Sequence, residues 1–195
     1  MKIKIPFKLL FVFVTVLIFK NCMAQKNNDK SYRVSYGANL VFEDKNQFVN
    51  YINNKEILWN ISPITFGIEK RLNSLASVIG YIGSNLYPEN QKMGGTTLKE
   101  PKDVFYFDLL GKLNLLTVLN YKSSFDPFIT IGSGYYYRSA ANEINLNMGA
   151  GFNYWMNDIY GININFVYKI NQPLVSENTQ KDLLQVSFML VQTIK

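Results

Sequence analysis

The sequence predicts an all-β protein, an eight-stranded antiparallel up-and-down transmembrane β-barrel. Three observations predict it. Apolar and polar residues alternate with a period of two in eight separate stretches, the period of a strand rather than of a helix. No long helical pattern interrupts the series, so consecutive strands run antiparallel. The polar face of these stretches is mostly Asn, Gly, Ser and Thr, whereas the other face carries Phe, Tyr, Leu and Ile. An eight-stranded barrel is only just wide enough to be filled by side chains, so the small face fits inside and the bulky face turns outward to lipid. Asn and Gly are also poor choices for a water-facing sheet surface. A soluble carrier barrel would place the faces the other way round.

Residues 1–24 have the pattern of an export signal. Lys2, Lys4 and Lys8 precede the apolar run 9–19, which is shorter than the roughly 20 residues a spanning helix needs. Cys22-Met23-Ala24 offers small residues for cleavage before Gln25. Lipidation of Cys22 is the rival reading, but Phe19-Lys20-Asn21 lacks the small residues expected before such a site. Residues 25–195 then form the barrel, about 170 residues, enough for one domain.

The first strand is expected over 32–42, with Tyr32, Val34, Tyr36, Ala38, Leu40 and Phe42 opposing Arg33, Ser35, Gly37 and Asn39. A polar loop, 43–56, leads to the second strand, about 58–69, where Pro63 removes a ladder donor and marks an irregularity. A turn at 72–74 precedes the third strand, 75–87, which is partly apolar on both faces. The longest polar loop, 88–103, contains Gly94-Gly95-Thr96-Thr97. The fourth strand, 104–115, sets Phe105, Phe107, Leu109 and Leu113 against Tyr106, Asp108, Lys112 and Asn114. The fifth sets Ile129, Ile131, Ser133, Tyr135 and Tyr137 against Thr130, Gly132, Gly134 and Arg138. The sixth has the cleanest pattern: Ile144, Leu146, Met148, Ala150, Phe152 and Tyr154 against Asn145, Asn147, Gly149, Gly151 and Asn153. A turn at 156–158 joins it to the seventh, with Ile162, Ile164, Phe166 and Tyr168 against Asn163, Asn165 and Lys169. A loop at 171–181 leads to the eighth, with Leu184, Val186, Phe188 and Leu190 against Gln185 and Ser187.

Connections at one end are long and at the other mostly short, as in bacterial membrane barrels with external loops and periplasmic turns. Aromatic residues fall near both rims, where rings with a polar edge favour the membrane–water interface. Trp59, Phe105, Tyr135, Tyr137 and Tyr168 lie toward the long loops, and Tyr32, Tyr154, Trp155 and Tyr160 toward the short turns.

Over 126–169 the chain resembles the outer membrane protein A-type β-barrels. The resemblance rests on Asp126-Pro127-Phe128, on Gly132-Ser133-Gly134-Tyr135, on Asn147 through Trp155, and on Asp158 with Gly161-Ile162-Asn163. It is weaker but collinear over 61–115. It implies a barrel type, not an activity. Many relatives carry a peptidoglycan-binding domain after the barrel, and no such domain is expected within this sequence. The last strand ends Val191-Gln192-Thr193-Ile194-Lys195, without the terminal aromatic that such barrels often use as an assembly signal.

Composition excludes several function classes. The formal charge of +6 belongs mostly to the signal lysines, including Lys20, and leaves about +2 on the rest, so a nucleic-acid partner is not expected. With no histidine there is no Ser-His-Asp or Cys-His arrangement, and no catalytic residue is assigned. The usual zinc ligands are missing, and Glu43, Asp44, Glu100 and Asp103 are read as solvated loop acids rather than calcium ligands. No cofactor is expected.

The distinctive residues are the charges on the inward face. Asp108, Arg138, Glu143 and Lys169 are expected near the long-loop end, and Arg33 and Glu69 near the other. Lys112 shares the face of Asp108 but lies about 13 Å along the strand from it, too far to pair. Buried ions need partners, so these residues are expected to form two salt-bridged layers that close the lumen; for Arg138, Glu143 and Lys169, solvation at the rim is the alternative. The expected role is a non-enzymatic structural or surface-interaction protein acting through its extracellular loops. The alternatives are a small pore and a lipocalin-like barrel for an apolar ligand. The expected location is the outer membrane with the C-terminus in the periplasm. The expected partners are outer-membrane lipid and the barrel assembly machinery, and the chain is expected to be a monomer.

Overall fold

The computed structural model describes residues 31–42, 63–87, 89, 92–93, 96–97, 99–118, 124–138, 141–173 and 182–194. Eight strands form a closed barrel: β1 (Tyr32–Phe42), β2 (Ile64–Arg71), β3 (Ala76–Tyr87), β4 (Lys102–Asn114), β5 (Phe125–Arg138), β6 (Ala141–Trp155), β7 (Tyr160–Pro173) and β8 (Leu183–Ile194). Each strand pairs antiparallel with its neighbours in sequence. β1 closes the ring on β8, with Tyr32 opposite Ile194 and Phe42 opposite Leu184.

The alternation sorts the side chains as the bulk of the two faces requires. Phe66, Ile68, Ile82, Phe107, Leu109, Ile131, Leu146 and Leu190 lie on the outside, with Ile68 60% exposed. Asn39, Thr65, Asp108, Lys112, Asn147, Asn165 and Lys169 lie inside, with Lys169 0% exposed. A continuous apolar exterior around a polar interior is the arrangement of a barrel solvated by lipid. The inverted arrangement of a soluble carrier is not adopted.

The two tight turns are built alike. After β2, the Asn73 Oδ1 accepts from the backbone amides of Leu75 and Ala76 at 2.8 and 2.7 Å. After β6, the Asn157 Oδ1 accepts from Ile159 and Tyr160 at 2.9 and 2.8 Å. An asparagine side chain that bonds its own backbone two and three residues on closes a turn without help from neighbours.

The elements differ from expectation in four places. Strand β2 is described from Ile64, so expected residues 58–62 lie outside the described residues; the Pro63 carbonyl just before it accepts from the Asn39 amide at 3.1 Å. A helical turn, Leu115–Val118, follows β4 where a plain connection was expected. Strand β5 starts at Phe125 and runs through Pro127, which is opposite Phe152. Within the expected loop 88–103, Lys92–Met93 pairs with Thr96–Thr97, and Gly94-Gly95 separates the two.

The interior is also less uniformly small than the sequence suggested. Ile79, Tyr81, Tyr87, Tyr106, Leu110, Phe128 and Tyr136 are all buried. Register explains how several of them fit. Tyr81 is opposite Gly67 on β2, Tyr106 opposite Gly83 on β3, and Leu110 opposite Gly132 on β5. Phe128 is opposite Gly151 on β6. A Cβ on Gly83 would lie 2.5 Å from Tyr106 Cε1, and one on Gly151 would lie 2.7 Å from the tip of Phe128. The glycines of the lumen therefore make room for rings from the next strand.

Candidate functional site in the barrel lumen

The inward row of β4 organises the interior. Its residues Tyr106, Asp108 and Lys112 stand two and four positions apart, so all three point inward. Each is opposite a small residue of an adjacent strand: Tyr106 opposite Gly83, Lys112 opposite Ser77, and Asp108 opposite Gly134. Tyr106 and Lys112 lean over β3 toward β2. Asp108 leans over β5, where a Cβ on Gly134 would collide with its Oδ1.

Two ionic clusters result. Toward the short turns, Glu69 lies between two cations. Arg33 Nη1 is 3.4 Å from its Oε1 and Lys112 Nζ 3.0 Å from its Oε2. Aromatic rings cover the remaining faces of both cations. The Arg33 guanidinium lies 4.5 Å from the Trp155 ring centre, and Lys112 Nζ lies 4.3 Å from that of Phe128. Desolvated cations gain most from such contacts. The cavity lined by Arg33, Ser35, Glu69, Asn153 and Asn163 has a volume of about 10 Å³, space for one water molecule at most.

The second cluster is a cross-lumen pair. Lys169 Nζ on β7 lies 2.7 and 2.6 Å from the two carboxylate oxygens of Asp108 on β4, with two strands between them around the ring. Asn147 Nδ2 donates to Asp108 Oδ1 at 2.7 Å. Lys169 Nζ also lies 4.6 Å from the centre of the Tyr106 ring. Next to this pair, Val41, Tyr87, Val104, Tyr136 and Leu183 form a buried apolar layer.

The structure thus brings Arg33, Glu69 and Lys112 into one cluster and Asp108 and Lys169 into another. Asp108 and Lys112 do not pair with each other; each takes a different partner. Glu143 lies inward and buried on β6, and Lys169 is not solvated at a rim. Arg138 ends β5, and its side chain lies outside the described residues. Of the acids set aside as loop groups, Glu100 and Asp103 are exposed, and Glu43 and Asp44 lie outside the described residues. Among the described residues no three His, Cys, Asp or Glu side chains come together.

Trp155 corrects the expected interfacial belt. Phe105, Tyr135, Tyr137 and Tyr168 lie outside at one end, and Tyr32, Tyr154 and Tyr160 outside at the other. Trp59 lies outside the described residues. Trp155, however, has the parity of Asn153 and turns inward over Arg33, beside Gly161, whose Cβ would lie 2.9 Å from its ring. Its partner is a buried cation rather than a headgroup. In a Trp59→Phe background, Trp155 fluorescence is expected to resist quenching by phospholipids brominated close to the headgroup. Strong quenching would place the indole in lipid instead.

No protein-family model and no curated protein matches the sequence. Solved structures do. The outer membrane protein OprG from Pseudomonas aeruginosa superimposes with a TM-score of 0.57 at 9% identity, over 85% of this chain and 96% of that one. The outer membrane protein AlkL, determined in DMPC lipid bilayers, gives 0.57 at 13% identity, over 88% of this chain and 93% of that one. The N-terminal β-barrel domain of Pseudomonas aeruginosa OprF gives 0.53 at 8% identity, over 85% and 98%. Identities this low establish architecture alone, and with the strand count, the antiparallel closure and the apolar exterior they make this chain, in fold, a small eight-stranded β-barrel like these outer-membrane proteins.

Proposed function

We propose that this chain is a non-enzymatic outer-membrane protein whose closed barrel is a scaffold, and whose role is structural or exercised through the loops at its long-loop end. The observation that carries the reading is the cross-lumen pair Asp108–Lys169, with neither residue more than 1% exposed. A conducting pore needs a continuous hydrated path. Here a salt bridge crosses the lumen, an apolar layer adjoins it, and a second ionic cluster lies toward the other end. The lack of histidine in the sequence supports a non-enzymatic role. In this reading the signal 1–24 is removed, the barrel assembly machinery inserts the chain as a monomer, and the C-terminus lies in the periplasm.

Two measurements test it. Expressed protein is expected in the outer-membrane fraction with heat-modifiable gel mobility; recovery of the native protein from the soluble periplasm would overturn the location. Purified barrel in a planar bilayer is expected to give no stepwise conductance. Long-lived single-channel steps from the unmodified chain would replace the scaffold with a pore.

A further inference from the structure

We infer that Tyr106 is an internal clasp for the seam at which the barrel closes. The seam joins β1 and β8, the first and last strands, with Asn39 opposite Ser187 and Val41 opposite Gln185. Asn39 Nδ2 on one side of the seam donates to the Tyr106 hydroxyl at 3.1 Å. Gln185 Nε2 on the other side donates to the same oxygen at 3.0 Å. The hydroxyl is also bonded to Thr65 Oγ1 on β2. A phenolic hydroxyl accepts two hydrogen bonds and donates one. Gln185 and Asn39 both donate to it, the Asn39 Nδ2 sharing its two protons among the Tyr106 hydroxyl, Thr65 Oγ1 and the Ile64 carbonyl, and either hydroxyl can donate in the Tyr106–Thr65 bond.

The clasp is built from the far side of the lumen. Tyr106 belongs to β4, and its ring reaches the seam only because it crosses β3 at Gly83. Asn39 is fixed further by Asn85 Nδ2, which donates to its Oδ1 at 2.5 Å, and by its own bond to the Ile64 carbonyl at 3.2 Å. Gln185 is fixed by its second bond, to Ser187 Oγ at 3.2 Å. The two seam strands are thus held by their shared ladder and, from inside, by one oxygen.

The test is site-resolved amide hydrogen exchange on the full chain refolded into lipid nanodiscs. Tyr106→Phe keeps the ring over Gly83 and removes the hydroxyl. Amides of the β1–β8 ladder around Asn39–Val41 and Gln185–Ser187 are expected to lose protection by roughly tenfold, the scale of one buried hydrogen-bonding group. Those of the β5–β6 ladder are expected to hold. Gln185→Met leaves Tyr106 in place and is expected to give the same seam-restricted loss. The double variant is expected to be no worse than either single one, because both remove the same bridge. Equal loss on all ladders, no loss at the seam, or additive losses in the double variant would overturn the clasp. Should Tyr106→Phe fail to refold, Gln185→Met decides the matter alone.

Discussion

Lys169→Met is expected to destabilise the folded barrel by about 3–5 kcal/mol, the cost of leaving a buried ion without its partner. The lysine is 0% exposed and holds both oxygens of Asp108, which is itself 1% exposed. Methionine fills a similar volume, so packing is largely kept and the loss is electrostatic. Asn147 would remain as a single donor to the stranded carboxylate. Adding Asp108→Asn removes the stranded charge, and the double variant is expected to regain most of the loss, ending within about 2 kcal/mol of the unmodified chain. Urea unfolding in lipid vesicles, followed by the heat-modifiable gel shift, measures both. An unchanged midpoint for Lys169→Met would mean that water, not protein, solvates this pair.

Gly83→Val is the second large effect, expected to cost about 3 kcal/mol or to prevent folding, at the upper end for overpacking a filled interior. Even a Cβ at this position would overlap the Tyr106 ring. The ring cannot retreat without releasing Asn39, Gln185 and Thr65. Pairing the change with Tyr106→Ala vacates the space, so the double variant is expected to be more stable than Gly83→Val alone, a reversal of sign that only direct contact produces. Gly80 on the same strand is the control. A Cβ there meets nothing within 4 Å, so Gly80→Ala is expected to be neutral or slightly stabilising. Similar losses at the two glycines would show that strand propensity, not the ring, sets the cost.

These two glycines also mark where the sequence could be read and where it could not. Alternation assigns a face, and it assigned the faces of β4 through β8 from pattern alone. It does not say which way along the wall a long inward side chain leans. Lys112 and Asp108 share a face four residues apart, yet one turns toward β2 and the other toward β6 and β7. That choice depends on which adjacent strand offers a small residue at the matching register, Ser77 in one case and Gly134 in the other. Register was not legible before the loops and turns were placed. The third strand looked ambiguous for the same reason: Ile79 and Tyr81 are apolar but inward, and Tyr81 fits over Gly67. Trp155 is different. Its parity with Asn153 already placed it inside, but the general preference of tryptophan for the membrane interface suggested otherwise. Parity prevailed, and inside the barrel the indole meets the Arg33 guanidinium.

The bonds across the lumen also bear on how the chain acquires its shape. Outside the β1–β8 seam, ladder pairs join strands adjacent in sequence, whereas Asp108–Lys169 spans 61 residues, Asn39–Tyr106 spans 67 and Tyr106–Gln185 spans 79. Long-range contacts of this kind carry the entropy cost of closing large loops. None of the three can form in a flat sheet, because each needs the curvature of a finished ring. Hairpins can therefore assemble early and in any order, and Arg33–Glu69 can pair within the β1–β2 hairpin, but Asp108 and Lys169 meet only when β4 and β7 face each other across the lumen. Until that moment an inserting chain carries Asp108 and Lys169 unpaired on the face that will become the interior, and this favours a single concerted final step over a population of half-closed barrels.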